Sequence, residues 1–255
     1  MTIPPLTVVT RRSSLRDILI GLAAAQKRRA PGAPAYSIYV NRPAGRFLAA
    51  IAYRAGLSPN GVTAISGILS LMALILLVTV PPTWWSGFVI AGLLASGYAF
   101  DSADGQVARL RGGGSPAGEW LDHVVDAAKT ASIHLAVLIC AYRFMAVQPD
   151  TLLLIPIGYA IVNSVAFFAM ILNDLLKAIH GKPTSSRVST PLRSVLLLPT
   201  DYGVLCLIFL LLGWPPVFLL AYSLMFAANA THLGLTLVKW FGDMKKLGHS
   251  ISTNV

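Results

Sequence analysis

FDSADGQVARLRGGGSPAGEWLDHVVDAAK, residues 100–129, is the stretch that decides how this chain folds. It joins the end of one apolar run to the start of the next through the short loop LRGGGSPAG, which makes the two runs antiparallel neighbours. The chain has ten carboxylates, and Asp101, Asp104, Glu119, Asp122 and Asp126 all fall here. Asp101 and Asp104 are three residues apart and Asp122 and Asp126 four apart, so each pair lies on one face of its helix. The loop brings the two faces opposite each other at similar depth.

Working outward, 55% of the 255 residues are hydrophobic and only 12% are charged. A soluble domain carries about 25% charged residues, so water is not this chain's main solvent. A helix needs about 20 apolar residues to cross the hydrocarbon layer. Six stretches meet that need: 61–80, 87–107, 119–143, 151–173, 194–213 and 217–239. Pro- and Gly-marked breaks such as PPTWWS (81–86) and GWPP (213–216) separate them. The predicted fold is an all-α polytopic membrane protein of six transmembrane helices, preceded by N-terminal interfacial amphipathic helices.

The division follows: a basic N-terminal segment 1–35, an interfacial helix 36–57, a six-helix domain 58–243 and a tail 244–255. With the N-terminus in the cytoplasm, the inner side receives the nine Lys and Arg of the lead-in. It also receives Arg109, Arg111, Lys177, Lys182, Arg187, Arg193, Lys239, Lys245 and Lys246, whereas the outer side has only Arg143. That asymmetry fits the positive-inside rule. The net charge of +10 is first a topology signal and only then an attraction to anionic lipids or substrates. Nucleic-acid binding is not expected, because the basic residues border spans. Cys140 and Cys206 lie within spans and make neither a disulfide frame nor a zinc spacing. RRSSLRDILIGLAAA (11–25) has no clean cleavage site and runs into Lys27, Arg28 and Arg29, so it is expected to lie on the surface as an anchor. A second amphipathic segment, about 36–54, contains Pro43, which interrupts or begins its helical part.

Ionisable groups at membrane depth cost several kcal/mol unless paired, solvated or metal-bound, so four carboxylates together demand a cation. Oxygen-only ligands suit Mg²⁺ or Mn²⁺, which also bind substrate phosphates. Two such ions steady both the attacking and the leaving oxygens of a phosphoryl displacement. Small Gly105, Ala108 and Gly118 let a nucleotide or a neighbouring helix approach the backbone. Arg109 offers paired donors to a phosphate. The glycines at 112–114 lack the Lys-Ser/Thr of a Walker loop and read as a hinge.

Asp101-x2-Asp104-Gly105-x2-Ala108-Arg109-x8-Gly118-x3-Asp122-x3-Asp126 resembles, at each fixed position, the signature of the CDP-alcohol phosphatidyltransferase family. LSPNGVT (57–63) is similar to the family's Thr-Pro-Asn/Asp-x-x-Thr element, with Ser58 in place of the first Thr. The resemblance covers roughly residues 36–240. It implies transfer of a phosphatidyl or related phospho-alcohol group from a CDP-linked lipid donor to an alcohol or phospho-alcohol acceptor, with release of CMP. It implies that Asp101, Asp104, Asp122 and Asp126 hold two Mg²⁺ or Mn²⁺ ions and that Asp126 is also the general base. Asn60, Thr63, Gly105, Ala108, Arg109, Ser115 and Gly118 are then expected around the CDP moiety. Among the basic residues between the fourth and fifth spans, Arg193 is the best candidate to hold an acceptor phosphate. A homodimer in a bacterial cytoplasmic membrane, with both termini and the active site inside, completes the expectation.

Lys129, Asn163, Asp201, Asn229 and His232 also fall in spans, and hydrogen bonds between helices are the ordinary use of such residues. His123 is not a motif position and points about 100° away from Asp122. Intramembrane prenyltransferases also use aspartates and Mg²⁺, but their two Asp-rich motifs lie far apart in the chain. An ion transporter is expected to show internal repeats and sites near the midplane. This chain has one acid cluster, near one surface.

Overall fold

Ser58-Pro59 and Ser115-Pro116 start two of the long helices in the same way. Each serine is extended and accepts from the backbone N–H three residues on, Gly61 and Gly118, both at 3.1 Å, while each proline takes the first helical position where no donor is needed. Thr83 and Ser86 close a reciprocal capping box at a third start. The computed structural model describes residues 10–11, 13–24, 34–181 and 191–252.

Among them, nine α-helices follow in order: α1 Leu15–Ala24, α2 Arg42–Arg54, α3 Pro59–Thr79, α4 Trp84–Leu110, α5 Pro116–Phe144, α6 Leu154–Ile179, α7 Pro191–Leu196, α8 Tyr202–Ile208 and α9 Pro215–Ser252. A π-helical turn, Ser37–Asn41, runs straight into α2, so Pro43 sits in the first turn of the α-helix and does not break the segment. Four helices, Pro59–Thr79, Pro116–Phe144, Asp150–Ile179 and Pro215–Leu247, are long and apolar enough to cross a membrane. Their outward faces fit that solvent: Ile68, Leu71, Met72 and Ile75 of α3 and Phe168 of α6 are exposed, a surface that would aggregate in water.

The stretch 194–213, expected as one span, is not one helix. Its backbone passes through α7, a 3-10 turn at Leu198–Thr200, α8 and a second 3-10 turn at Phe209–Gly213. Pro199 brings no N–H to continue α7. Asp201 then turns extended and restarts the chain by accepting from Gly203 N at 2.9 Å through Oδ1. Its Oδ2 accepts from Ser37 N at 2.9 Å, which ties the break to the π-helical turn before α2.

Two cores follow. The larger joins Ala73, Leu77, Ile90, Leu94, Ile133, Val137, Phe209 and Phe218 across α3, α4, α5, α9 and the 3-10 turn before α9. The smaller sits where α4 ends and gathers Ile18 and Leu22 of α1, Ala49 and Tyr53 of α2, Val62 of α3, and Ala103 and Val107 of α4. The two N-terminal helices are therefore packed onto the bundle. Arg111 reinforces this by donating to the carbonyls of Gly56 and Leu57 at 2.8 and 2.6 Å.

Close approaches rest on small residues. A Cβ on Gly97 would lie 2.8 Å from Ser70 Oγ and 3.2 Å from Ser66 O, so α3 and α4 meet there backbone to backbone. A Cβ on Gly203 would run into the ring of Tyr36, which stacks on Tyr98 at 6.4 Å. Gly203→Ala is expected to cost about 1–3 kcal/mol through overpacking, read as a lower melting temperature in detergent. A buried polar set ties the far half together: His134 Nδ1 meets Tyr222 Oη at 2.6 Å and its Nε2 meets Asn163 at 2.7 Å, while Asn229 donates to Tyr159 Oη at 2.8 Å.

Candidate active site

α4 and α5 are linked by a turn in which Gly112 and Gly113 take φ of 96° and 132°, values costly for any side chain. Both helices pack on α3, and the reversal sets their acidic faces opposite each other.

Between the two helices Asp101 of α4 and Asp122 and Asp126 of α5 each turn a carboxylate oxygen, and the three oxygens lie within 4.8 Å of one another. All three residues are partly buried. Such a hard-oxygen set fits a divalent cation, and a cation of the protein's own is already drawn in. Lys129 Nζ lies 2.5 Å from Asp101 Oδ1 and 2.7 Å from Asp126 Oδ1.

Asp104 of α4 adjoins the three, with its side chain in contact with that of Asp122. It is buried, 7% exposed. Thr63 Oγ1 donates to its Oδ2 at 2.6 Å, and the backbone N–H of Gly105 lies 2.5 Å from its Oδ1. The LSPNGVT element is thus bonded to the acid motif from the start of α3. Thr63→Val keeps the shape but leaves one oxygen of a buried carboxylate without its donor. It is expected to cost about 1–3 kcal/mol of stability, measured by thermal melting beside wild type.

The remaining motif residues gather next to Asp104. A Cβ on Gly118 would lie 3.1 Å from Asn60 Oδ1 and 3.2 Å from Ser115 Oγ, which places the starts of α3 and α5 against each other. The Ser115 hydroxyl is already engaged as the cap of α5. Arg109 folds back one turn, its Nη1 3.6 Å from where a Cβ on Gly105 would sit, and Ala108 is buried beside it. Asn60, Ser115 and Gly118 thus meet where α3 and α5 start, one turn before Thr63, while Gly105, Ala108 and Arg109 follow Asp104 along α4.

The backbone of Arg193 lies in α7 and its side chain is outside the described residues, as are Lys182 and Arg187. Lys177, from the same basic loop region, pairs with Asp243 of α9 at 3.4 Å. A cavity of about 400 Å³ lined by Met145, Gln148, Pro215 and Tyr222 lies at the other end of the bundle, away from every aspartate of the motif.

Lys129 is the site residue that sequence reasoning missed. The signal was present, because it follows Asp126 by three residues and so shares its helix face. Sequence alone sets it among the isolated polar residues of the spans.

A family model described as CDP-alcohol phosphatidyltransferase matches residues 56–237. The chain belongs to the CDP-alcohol phosphatidyltransferase family. Like its family, it is an integral membrane enzyme that moves a phosphatidyl or related phospho-alcohol group from a CDP-linked donor to an alcohol, in phospholipid synthesis. The matched region contains all four motif aspartates and the element around Asn60 and Thr63.

The fold is similar to the crystal structure of Mycobacterium tuberculosis phosphatidylinositol phosphate synthase (PgsA1) with CDP-DAG bound. Identity is 22% and the TM-score 0.54, over 79% of this chain and 94% of that one. The apo form of the same synthase is 20% identical with a TM-score of 0.50, over 74% of this chain and 92% of that chain. These likenesses give this transferase its fold. A search of curated proteins returned no match.

Proposed function

We propose that this transferase uses CDP-diacylglycerol as donor and an alcohol of the polyol or polyol phosphate class as acceptor, with Mg²⁺ or Mn²⁺ held as two ions by Asp101, Asp104, Asp122 and Asp126. The observation that carries the reading is the convergence of the Asp101, Asp122 and Asp126 carboxylates within 4.8 Å between α4 and α5. The CDP-DAG bound to the synthase of similar fold supports the donor.

When bound, the ions neutralise the donor's pyrophosphate and stabilise the departing CMP. The protein's own part is to place the reactants. Asn60, Thr63, Gly105, Ala108, Arg109, Ser115 and Gly118 flank the nucleotide, with the small residues giving its phosphates room and Arg109 offering them paired donors. Asp126 accepts the proton of the acceptor hydroxyl on a carboxylate oxygen. The acceptor oxygen bonds to the phosphatidyl phosphorus as the bond from that phosphorus to the CMP oxygen breaks. CMP leaves with the electron pair. Arg193 holds the phosphate of a phosphorylated acceptor.

In this reading the chain crosses the membrane six times. α4, with 27 residues, and the broken segment Pro191–Gly213 join the four apolar helices. α1 and α2 lie at the interface, and the cluster faces the cytoplasm of a bacterial cell, the side that collects the Lys and Arg. The enzyme works as a homodimer. Incubating the purified protein in detergent with CDP-diacylglycerol, Mg²⁺ or Mn²⁺ and a panel of alcohols and phospho-alcohols tests the reading. CMP release with one acceptor class supports it, and no metal-dependent release with any of them removes it.

A further inference from the structure

Lys129 lies three residues past Asp126 on α5, and its ammonium reaches three helices. It contacts Asp126 Oδ1 at 2.7 Å, Asp101 Oδ1 of α4 at 2.5 Å and Ser66 Oγ of α3 at 3.3 Å. The side chain is 11% exposed, with Asp101 and Asp126 at 18% and 27%. Charges so shielded from water interact strongly, and either acid would be costly to keep ionised without a partner. Asp122, the third member of the cluster, has His123 Nδ1 at 4.0 Å instead.

We propose that Lys129 is a positioning residue that acts as a built-in counter-ion of the cluster, joining α4 to α5 in the metal-free enzyme and competing with the divalent ion for Asp101 and Asp126. This rests on the metal reading above. The two oxygens that Lys129 holds belong to the same residues that offer the convergent ligand set. A divalent ion sits about 2.0–2.2 Å from its oxygen ligands. An ammonium on the same oxygens would face it at a distance where like charges repel severely. Loading the ion therefore requires the ammonium to withdraw, which the four-carbon stem of lysine permits. The buried Ser66 hydroxyl remains as a partner on the α3 side.

The consequence is twofold. Without metal, the acids do not push α4 and α5 apart. With metal, the protein's affinity is held below what four carboxylates would give alone, so the donor's pyrophosphate oxygens contribute the remainder.

The test is Mn²⁺ binding to the purified full chain in detergent, read by the EPR signal of free Mn²⁺, together with melting with and without Mn²⁺. Wild type, Lys129→Met and Lys129→Arg are compared. Lys129→Met, which keeps the stem and removes the charge, is expected to bind Mn²⁺ at least tenfold more tightly. Its melting temperature falls without metal and recovers with it. Lys129→Arg keeps the charge and is expected to bind no more tightly than wild type. Should Lys129→Met stay folded only in Mn²⁺, reversible loss of the fold on chelation supports the proposal as well. Equal or weaker Mn²⁺ binding by Lys129→Met overturns it, as does a lower melting temperature that Mn²⁺ does not restore. Lys129→Arg binding as tightly as Lys129→Met also overturns it. Absence of Mn²⁺ binding by wild type removes the metal reading itself.

Discussion

Asp126→Asn is expected to lower metal-dependent CMP release by about 10²- to 10⁴-fold, the range a positioned general base contributes, while CDP still binds. The asparagine amide keeps the size of the carboxylate and can still accept from Lys129, but it cannot take the proton of the acceptor hydroxyl. The residues proposed to flank the nucleotide hold one another by contacts that omit Asp126, Thr63 with Asp104 and Gly118 with Asn60 and Ser115. Two assays check this: CMP release with saturating donor and acceptor, and CDP binding to the same preparation in Mn²⁺. A variant that turns over at the wild-type rate removes Asp126 as the base. One that loses CDP binding in step with turnover makes it chiefly a metal ligand.

Much of this site was legible because its signals are local. The caps at Ser58-Pro59 and Ser115-Pro116 are set by residues within one turn, and the aspartate spacings fix which side chains share a helix face. The glycine-rich loop fixes the reversal that sets those faces against each other. What sequence could not supply was whatever depends on partners far along the chain. Residues 194–213 read as a continuous apolar run, yet the backbone breaks at Leu197–Asp201, because Asp201 finds the backbone of Ser37, 164 residues away. Arg111 read as a flanking charge but ties the α2–α3 turn to the end of α4. Asp104 reads as a member of an acid quartet, and the sequence does not show that Thr63 and Gly105 also engage its oxygens. Periodicity places such residues on a face and says nothing of which neighbour will claim them.

That division of labour gives Asp101 a different weight from Asp104. Asp101 is the α4 contribution to the convergent set and the anchor of Lys129 on that helix. Asp101→Asn removes a ligand charge and also the ion pair that joins α4 to α5. Disturbing a group that merely orients a metal ligand costs about 10–100-fold in metal affinity, so loss of the ligand itself is expected to weaken Mn²⁺-dependent CDP binding by at least about 100-fold. The measurement is CDP affinity with and without Mn²⁺. The metal-dependent gain should disappear, while the weak metal-free affinity stays near that of wild type because the residues around Asp104 are untouched. A uniform loss in both conditions would mean that the substitution has moved α4 and α5 apart. An undiminished gain would mean that the ion is held without Asp101, which would leave the convergence of the three carboxylates without a metal role.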